Sequence, residues 1–212
     1  MKNSLHPDVS IILTVFNREK YIKRCINSIF KQTYENWKII AIDDGSQDSS
    51  RKILADYASR YRNIEVYYQP NMKLALSRNR GIELAESKYL TFIDSDDEYA
   101  LNHIEQRVKF IEANPDIDLI HGDVKIIGNE YVRDKNNPFK FIHLSECFIG
   151  GTFFGRTEVF KKLNGFRNIP YSEDSDLLER AKKKFKIRKV EFKTYIYHRE
   201  LEDSITNSYV PQ

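Results

Sequence analysis

Three apolar runs in this chain each end abruptly in polar side chains, and that shared ending limits its architecture more than any other feature. Val9 to Val15 runs into Phe16-Asn17, Trp37 to Ile42 into Asp43-Asp44-Gly45-Ser46, and Tyr89 to Ile93 into Asp94-Ser95-Asp96-Asp97. Short runs rich in β-branched and aromatic residues predict buried strands. Open α/β sheets bind ligands beyond the carboxyl ends of their strands, so one edge of the sheet is expected to be the site. On extended chain, residues i and i+2 share a face, and Asp94 and Asp96 are therefore expected to aim at one point. Two hard oxygen ligands with room for water suit Mg²⁺ or Mn²⁺ held against phosphates. The competing reading is an acidic cap on the next helix, expected to start near Leu101.

Helical spacing fills the gaps between these strands. Ile22, Cys25, Ile26, Ile29 and Phe30 form one apolar face, and Ile53, Leu54, Tyr57, Ala58 and Tyr61 a second, with Asp48 or Ser49 as its N-cap. Ile64 to Tyr68 predicts a strand, Leu74 to Ala85 a helix, and Ile104, Val108 and Ile111 another helix stopped by Asn114-Pro115. This alternation predicts an α/β fold with a mainly parallel central sheet and helices on both faces. The second half reads differently, as a small mixed β region. Leu119 to Tyr131 predicts strands around a Gly128-Asn129 turn, Asp134 to Pro138 a polar loop, and Phe148 to Phe154 a glycine-interrupted strand. A short helix over Thr157 to Leu163 ends at Gly165, and a helix over Ser175 to Lys184 and a strand over Ile187 to His198 complete the pattern. A single domain over residues 1–212 is expected, with a nucleotide-binding half to about 115 and an acceptor-binding half beyond it.

Composition removes several classes. Two cysteines, Cys25 and Cys147, without a C-x-x-C pair support neither a disulfide framework nor a zinc site. No apolar run reaches the ~20 residues of a membrane span, and Met1-Lys2-Asn3-Ser4 lacks a signal peptide's apolar segment, so a cytoplasmic location is expected. A formal net charge of +3 gives no case for nucleic acid. Lys182-Lys183-Lys184, with Lys186, Arg188 and Lys189, reads as a solvated helix end, with peripheral contact to the inner face of a membrane as the alternative.

Taken in order, Ser10 to Asn17, Ile42-Asp43-Asp44-Gly45-Ser46, Ser77-Arg78-Asn79-Arg80-Gly81, Phe92 to Asp97 and Ser172-Glu173-Asp174 resemble the GT-A fold glycosyltransferases of family 2. Five motifs on the right elements cover nearly the whole chain. The resemblance implies inverting transfer of a sugar from a nucleotide diphosphate donor to a glycan or lipid-linked acceptor in cell-surface polysaccharide synthesis, with Mn²⁺ or Mg²⁺ as cofactor. It implies that Asp44 accepts a base N–H, that Thr14, Phe16 and Asn17 flank the base, and that Asp43 touches ribose or braces its turn. An ionised carboxylate only accepts, which suits uracil, thymine or guanine but not the N3 of cytosine. UDP is the expected carrier, with GDP left open. Asp96 is the expected metal ligand, Asp94 reaches ribose or a metal-bound water, and Arg78 contacts diphosphate or ribose unless it pairs with Glu83 or Asp94.

Asp174 is the expected general base, with Glu173 and Asp176 as rivals and an acidic helix cap as the plain alternative. His198 is a metal or phosphate candidate, or a satisfied core residue. Gly150 and Gly151 let the backbone approach donor sugar or acceptor, or mark a bulge. Residues 131 to 147 are an expected source of acceptor specificity. Two departures stand out, since Thr14 replaces a common proline and Lys73 a common glycine, and lysine rarely adopts glycine's backbone angles. Lys73 is a phosphate contact in the alternative view. A non-catalytic nucleotide-sugar binding module and a nucleotidyltransferase are the rival functions, although Phe16-Asn17-Arg18-Glu19 lacks the latter's glycine-rich phosphate loop. No G-x-G-x-x-G follows a strand, which disfavours an NAD-linked oxidoreductase.

Overall fold

The computed structural model describes residues 7–201 except 135, 136 and 138. The first half alternates as the apolar pattern predicts: β1 (Val9–Val15), α1 (Ile22–Phe30), β2 (Trp37–Asp43), α2 (Ser50–Arg60), β3 (Ile64–Tyr68), α3 (Leu74–Leu84) and β4 (Tyr89–Asp94). There follow β5 (Glu98–Tyr99), α4 (His103–Ala113), β6 (Leu119–Gly128), β7 (Tyr131–Arg133), β8 (Phe141–His143), β9 (Phe154–Arg156), α5 (Thr157–Lys162), α6 (Glu173–Lys182) and β10 (Ile187–Arg199). One eight-stranded sheet runs β3-β2-β1-β4-β9-β6-β10-β5, and β7 pairs with β8 in a separate small sheet. The pairs β1–β2, β1–β4, β2–β3 and β6–β10 are parallel, while β9 and β5 run against their neighbours. Strands from both halves of the chain thus share one sheet.

Period-two alternation divides the core between the faces of this sheet. Ile11, Leu13, Ile39, Ala41 and Ile93 pack with Ile22, Cys25, Ile26 and Ile29 of α1, Leu54 of α2 and Ile104, Val108 and Ile111 of α4. Ile12, Ile40, Ile42, Leu90 and Phe92 pack on the other face with Ala75 and Ile82 of α3, Val159 and Phe160 of α5 and Leu177, Leu178 and Ala181 of α6. Every residue of β1 is buried, Ser10 and Thr14 included, which explains its mainly apolar character within the sheet. None of the described helices is long and apolar enough to cross a membrane.

Three expectations are corrected. β4 ends at Asp94, and Asp97 N donates to Asp94 O at 3.0 Å, so Asp96 sits in a turn and extended-chain spacing does not set its direction. The two-residue β5 intervenes before the helix, which starts at His103 instead of Leu101. As expected, strands flank Gly128-Asn129, with β6 ending at Gly128 and β7 beginning at Tyr131, but β7 pairs with β8 and not with β6. Gly150–Thr152 forms a 3₁₀ turn and only Phe154–Arg156 is strand. Met1 to Ser4 and most of the polar loop between Asp134 and Pro138 lie outside the described residues.

Candidate active site

The ends of β1 and β2 are tied by polar turns. Asp43 Oδ1 accepts the Ser46 N–H at 3.0 Å, Ser46 Oγ accepts from Asn17 N at 3.1 Å, and Asn17 Oδ1 accepts from Gln47 N at 2.8 Å. The expected brace by Asp43 is therefore present. Thr14 is buried and lies in register with both Ile42 and Asp94, between the two acidic strand ends. Phe16, one residue beyond the strand, is 44% exposed and belongs to no core. An aromatic face open at a sheet edge is available for stacking.

Asp44 organises the loop after β3. Its Oδ1 accepts from Gln69 Nε2 at 2.7 Å and Met72 N at 2.8 Å, and its Oδ2 accepts from Lys73 N at 2.8 Å. Oδ2 retains an acceptor direction that a base N–H fits. Lys73 immediately precedes α3 at φ 71° and ψ 167°, a conformation almost confined to glycine. The loop keeps the glycine-like backbone although the side chain is lysine, because Asp44 holds the Lys73 N–H and the Lys73 carbonyl accepts from Ser77 N and Oγ. Lys73→Gly is expected to stabilise the protein by about 1 kcal/mol, strain relief outweighing the extra chain entropy. Urea denaturation measures this, and an unchanged or lowered midpoint contradicts it.

The centre of the site is Arg78 on α3, 2% exposed. Its Nη2 donates to Asp94 Oδ1 at 2.9 Å and Oδ2 at 3.2 Å, while Nη1 donates to Asp174 at 2.8 Å and Glu173 at 3.3 Å. One buried guanidinium thus joins the end of β4 to the first turn of α6. The arginine pairs with Asp94, one of the two partners named as alternatives from the sequence. Asp174 Oδ2 also accepts the Gly150 N–H at 2.8 Å. Burial pushes the Asp174 carboxyl up to about 7, against the lowering pull of Arg78 and with a further push from Glu173. Asp176 is committed elsewhere, to Arg180 at 2.7 Å and Arg167 at 3.1 Å. The α6 N-cap, Ser172, has φ 64° and makes no side-chain cap bond, so the acidic first turn serves Arg78 more than the helix end.

The remaining acidic residues divide into partly exposed and buried groups. The side chains of Asp94 and Asp96 are 29% and 17% exposed, and Arg18 Nε lies 3.5 Å from Asp96 Oδ2. Asp97 is fully buried, accepting from Tyr195 Oη at 2.7 Å and His198 N at 2.9 Å, and burial with the nearby Asp96 and Asp94 raises its carboxyl well above the usual range. Both ring nitrogens of His198 face carboxylates, Nδ1 to Glu200 at 2.6 Å and Nε2 to Glu98 at 2.9 Å. His198 is therefore a structural strut with no nitrogen left for a metal or phosphate. No group of three or more His, Cys, Asp or Glu among the described residues forms a metal cluster by itself. Asp94 and Asp96, both partly exposed, are the carboxylates at this strand end that would hold an ion, with water and substrate phosphate at its other positions, the usual arrangement for Mg²⁺.

The two glycines admit the protein's own groups. A Cβ on Gly150 would collide with the Asp174 carboxyl and one on Gly151 with the Tyr195 ring. Tyr195, whose hydroxyl also accepts from Asp94 N at 3.3 Å, was missed by sequence reasoning, as were Gln69 and Arg18. Tyr195 lies in an aromatic strand pattern that reads as core. Gln69 and Arg18 lie just past strand ends, where a search for polar residues beyond each strand would have found them.

Comparison with known proteins bears on this arrangement. The profile described as glycosyl transferase family 2 matches residues 10–170. Glycosyltransferase GlyA of Streptococcus pneumoniae is 28% identical over 162 residues, covering 76% of this chain and 21% of GlyA. Matches to three other curated glycosyltransferases span between 33% and 44% of their lengths, so this chain corresponds to less than half of each. Among solved structures, S. aureus TarS 1-349 in complex with UDP-GlcNAc superposes with TM-score 0.78 at 21% identity, covering 96% of this chain and 62% of that one. Mannosyltransferase PcManGT from Pyrobaculum calidifontis, in complex with GDP-Man and Mn²⁺, superposes with TM-score 0.71 at 17% identity, covering 90% of this chain and 56% of that one. These likenesses establish the GT-A fold.

Proposed function

This chain belongs to glycosyl transferase family 2, and from that premise we propose that it moves a sugar, with inversion, from a nucleoside diphosphate donor to a glycan or lipid-linked acceptor in cell-surface polysaccharide synthesis. The observation that carries the reading is the Arg78 bridge, which gathers a donor-side carboxylate, Asp94, and a candidate base, Asp174, around one buried cation. A binding module has no need to hold an otherwise costly carboxyl beside the donor carboxylates.

In this reading the base stacks on Phe16 and donates an N–H to Asp44 Oδ2, and Asp94 and Asp43 lie toward ribose. UDP is the favoured carrier, supported by the UDP-GlcNAc complex of the structural neighbour. Asp96, with Asp94, would hold Mg²⁺ or Mn²⁺, which when bound neutralises the charge developing on the departing diphosphate. Asp174 takes the proton from the acceptor hydroxyl as its oxygen bonds to the anomeric carbon and the bond from that carbon to the phosphate oxygen breaks. Gly150 N–H and Arg78 hold the carboxylate in place for that transfer, leaving its remaining lone pairs to the hydroxyl.

The test is incubation with UDP- and GDP-sugars, Mn²⁺ and a panel of glycans, following nucleoside diphosphate release. Acceptor-dependent release supports the reading, and donor binding without transfer to any acceptor favours the binding module. A base must be ionised, and burial holds Asp174 near about 7. The kcat/KM for transfer is therefore expected to rise about tenfold per pH unit below that point and to level off above it. A profile flat from pH 5 to 8 contradicts the assignment.

A further inference from the structure

Lys73 stands against local preference twice over. Its backbone holds φ 71° and ψ 167°, and it is the N-cap of α3, where a cation faces the positive end of the helix dipole. The side chain is exposed and makes no hydrogen bond, ion pair or ring contact among the described residues. A residue that breaks local rules without any contact in return marks a functional position.

The surroundings say what that side chain meets. Asp44 N donates to Val15 O at 2.8 Å and the Asp44 carboxylate accepts from Met72 N and Lys73 N, each at 2.8 Å, so one buried residue ties the end of β1 to the start of α3. An exposed apolar side chain lies on each flank, Phe16 next to Val15 and Met72 next to Lys73. A base bonded to Asp44 Oδ2 would share that acceptor with the Lys73 N–H, and a lysine stem reaches about 6 Å from its Cα, so the base edge falls within range of the ammonium. The diphosphate end of the site is further off. Asp94 pairs with Arg78, more than one helical turn along α3 from Lys73.

A carboxylate only accepts and an ammonium only donates. Side by side they complement a ring N–H next to a carbonyl, which uracil presents at N3 with a carbonyl on either side and guanine at N1 beside O6. We propose that Lys73 reads the base of the donor nucleotide, its ammonium donating to the carbonyl that neighbours the N–H held by Asp44. The inference rests on the donor reading above and adds to it the group that recognises the carbonyl edge.

Titration calorimetry of UDP and GDP in Mn²⁺ tests this on the unmodified protein, Lys73→Met, Lys73→Arg and Lys73→Gly. Methionine keeps a long stem and the same backbone demand and removes the donor. The nucleotide that binds the unmodified protein is expected to bind about tenfold more weakly to Lys73→Met and Lys73→Gly, and to stay within about twofold for Lys73→Arg. Melting temperatures separate this from unfolding, since Lys73→Gly is expected to be the more stable protein. Displacement of the bound nucleotide by the matching nucleoside should weaken by the same factor in Lys73→Met, whereas displacement by inorganic diphosphate should not. Unchanged nucleotide affinity in Lys73→Met overturns the proposal and leaves the donor reading standing. A loss confined to inorganic diphosphate overturns it as well, and moves the lysine to the phosphates. Absence of binding by both nucleotides overturns the donor reading and the proposal with it.

Discussion

Asp174→Asn is expected to leave donor affinity nearly unchanged while transfer falls by about 10² to 10⁴, the usual contribution of a general base. The substitution keeps the side chain's size and a carbonyl oxygen that still accepts from Gly150 N–H or Arg78, so the turn at Gly150 and the start of α6 should persist. What it removes is the carboxylate that burial pushes up to about 7 and that Arg78 holds at 2.8 Å. Calorimetry with the donor and a transfer assay on the same preparation separate the two effects. Transfer at the unmodified rate would shift the base to Glu173, which also touches Arg78 at 3.3 Å.

A second large effect is expected at Arg78. Arg78→Leu removes the buried cation that pairs with Asp94, Glu173 and Asp174, whose side chains are 29%, 17% and 19% exposed. Stranding carboxylates at that depth costs about 3–5 kcal/mol, and their residual access to water places the expected loss near the lower end, about 3 kcal/mol at neutral pH. Lowering the pH should recover part of the loss, because protonation of the carboxylates removes their mutual repulsion. Urea denaturation at pH 7 and pH 5 measures both quantities. A loss under about 1 kcal/mol would place Arg78 among the weak surface pairs and dissolve the bridge between donor side and base.

The first half of this fold was legible because its signals are local. Helical spacing in Ile22, Cys25, Ile26 and Ile29 and mainly apolar runs in β1 and β2 each follow from burial on one face or on both. The second half was harder to read because its order depends on distant partners. Phe148 to Phe154 has the composition of a strand, yet the turn at Gly150 is set by Asp174, 24 residues away, and by the Tyr195 ring against Gly151. The pairing of β7 with β8 spans a polar loop whose contribution no periodicity reveals. At the site, the acidic residues at the strand ends announced themselves by type, whereas the role of Arg78 emerged only when α3, β4 and α6 were brought together. His198 shows the opposite case, a residue singled out by type whose ring nitrogens are both committed to Glu98 and Glu200. At Lys73, chemistry foretold a conflict between side chain and backbone angle, and the Asp44 carboxylate resolves it in favour of the backbone.

The central claim is that the acidic ends of β2 and β4 form a metal-assisted site for a nucleoside diphosphate. Titration calorimetry of UDP and of GDP against the unmodified protein and Asp96→Ala, in Mn²⁺ and in EDTA, tests it most directly. The account predicts binding of UDP, or of GDP in its place, that is strong in Mn²⁺ and weakened by EDTA for the unmodified protein, and insensitive to the metal in Asp96→Ala. Binding by the unmodified protein that is equal in Mn²⁺ and EDTA, or absent for both nucleotides, would contradict it.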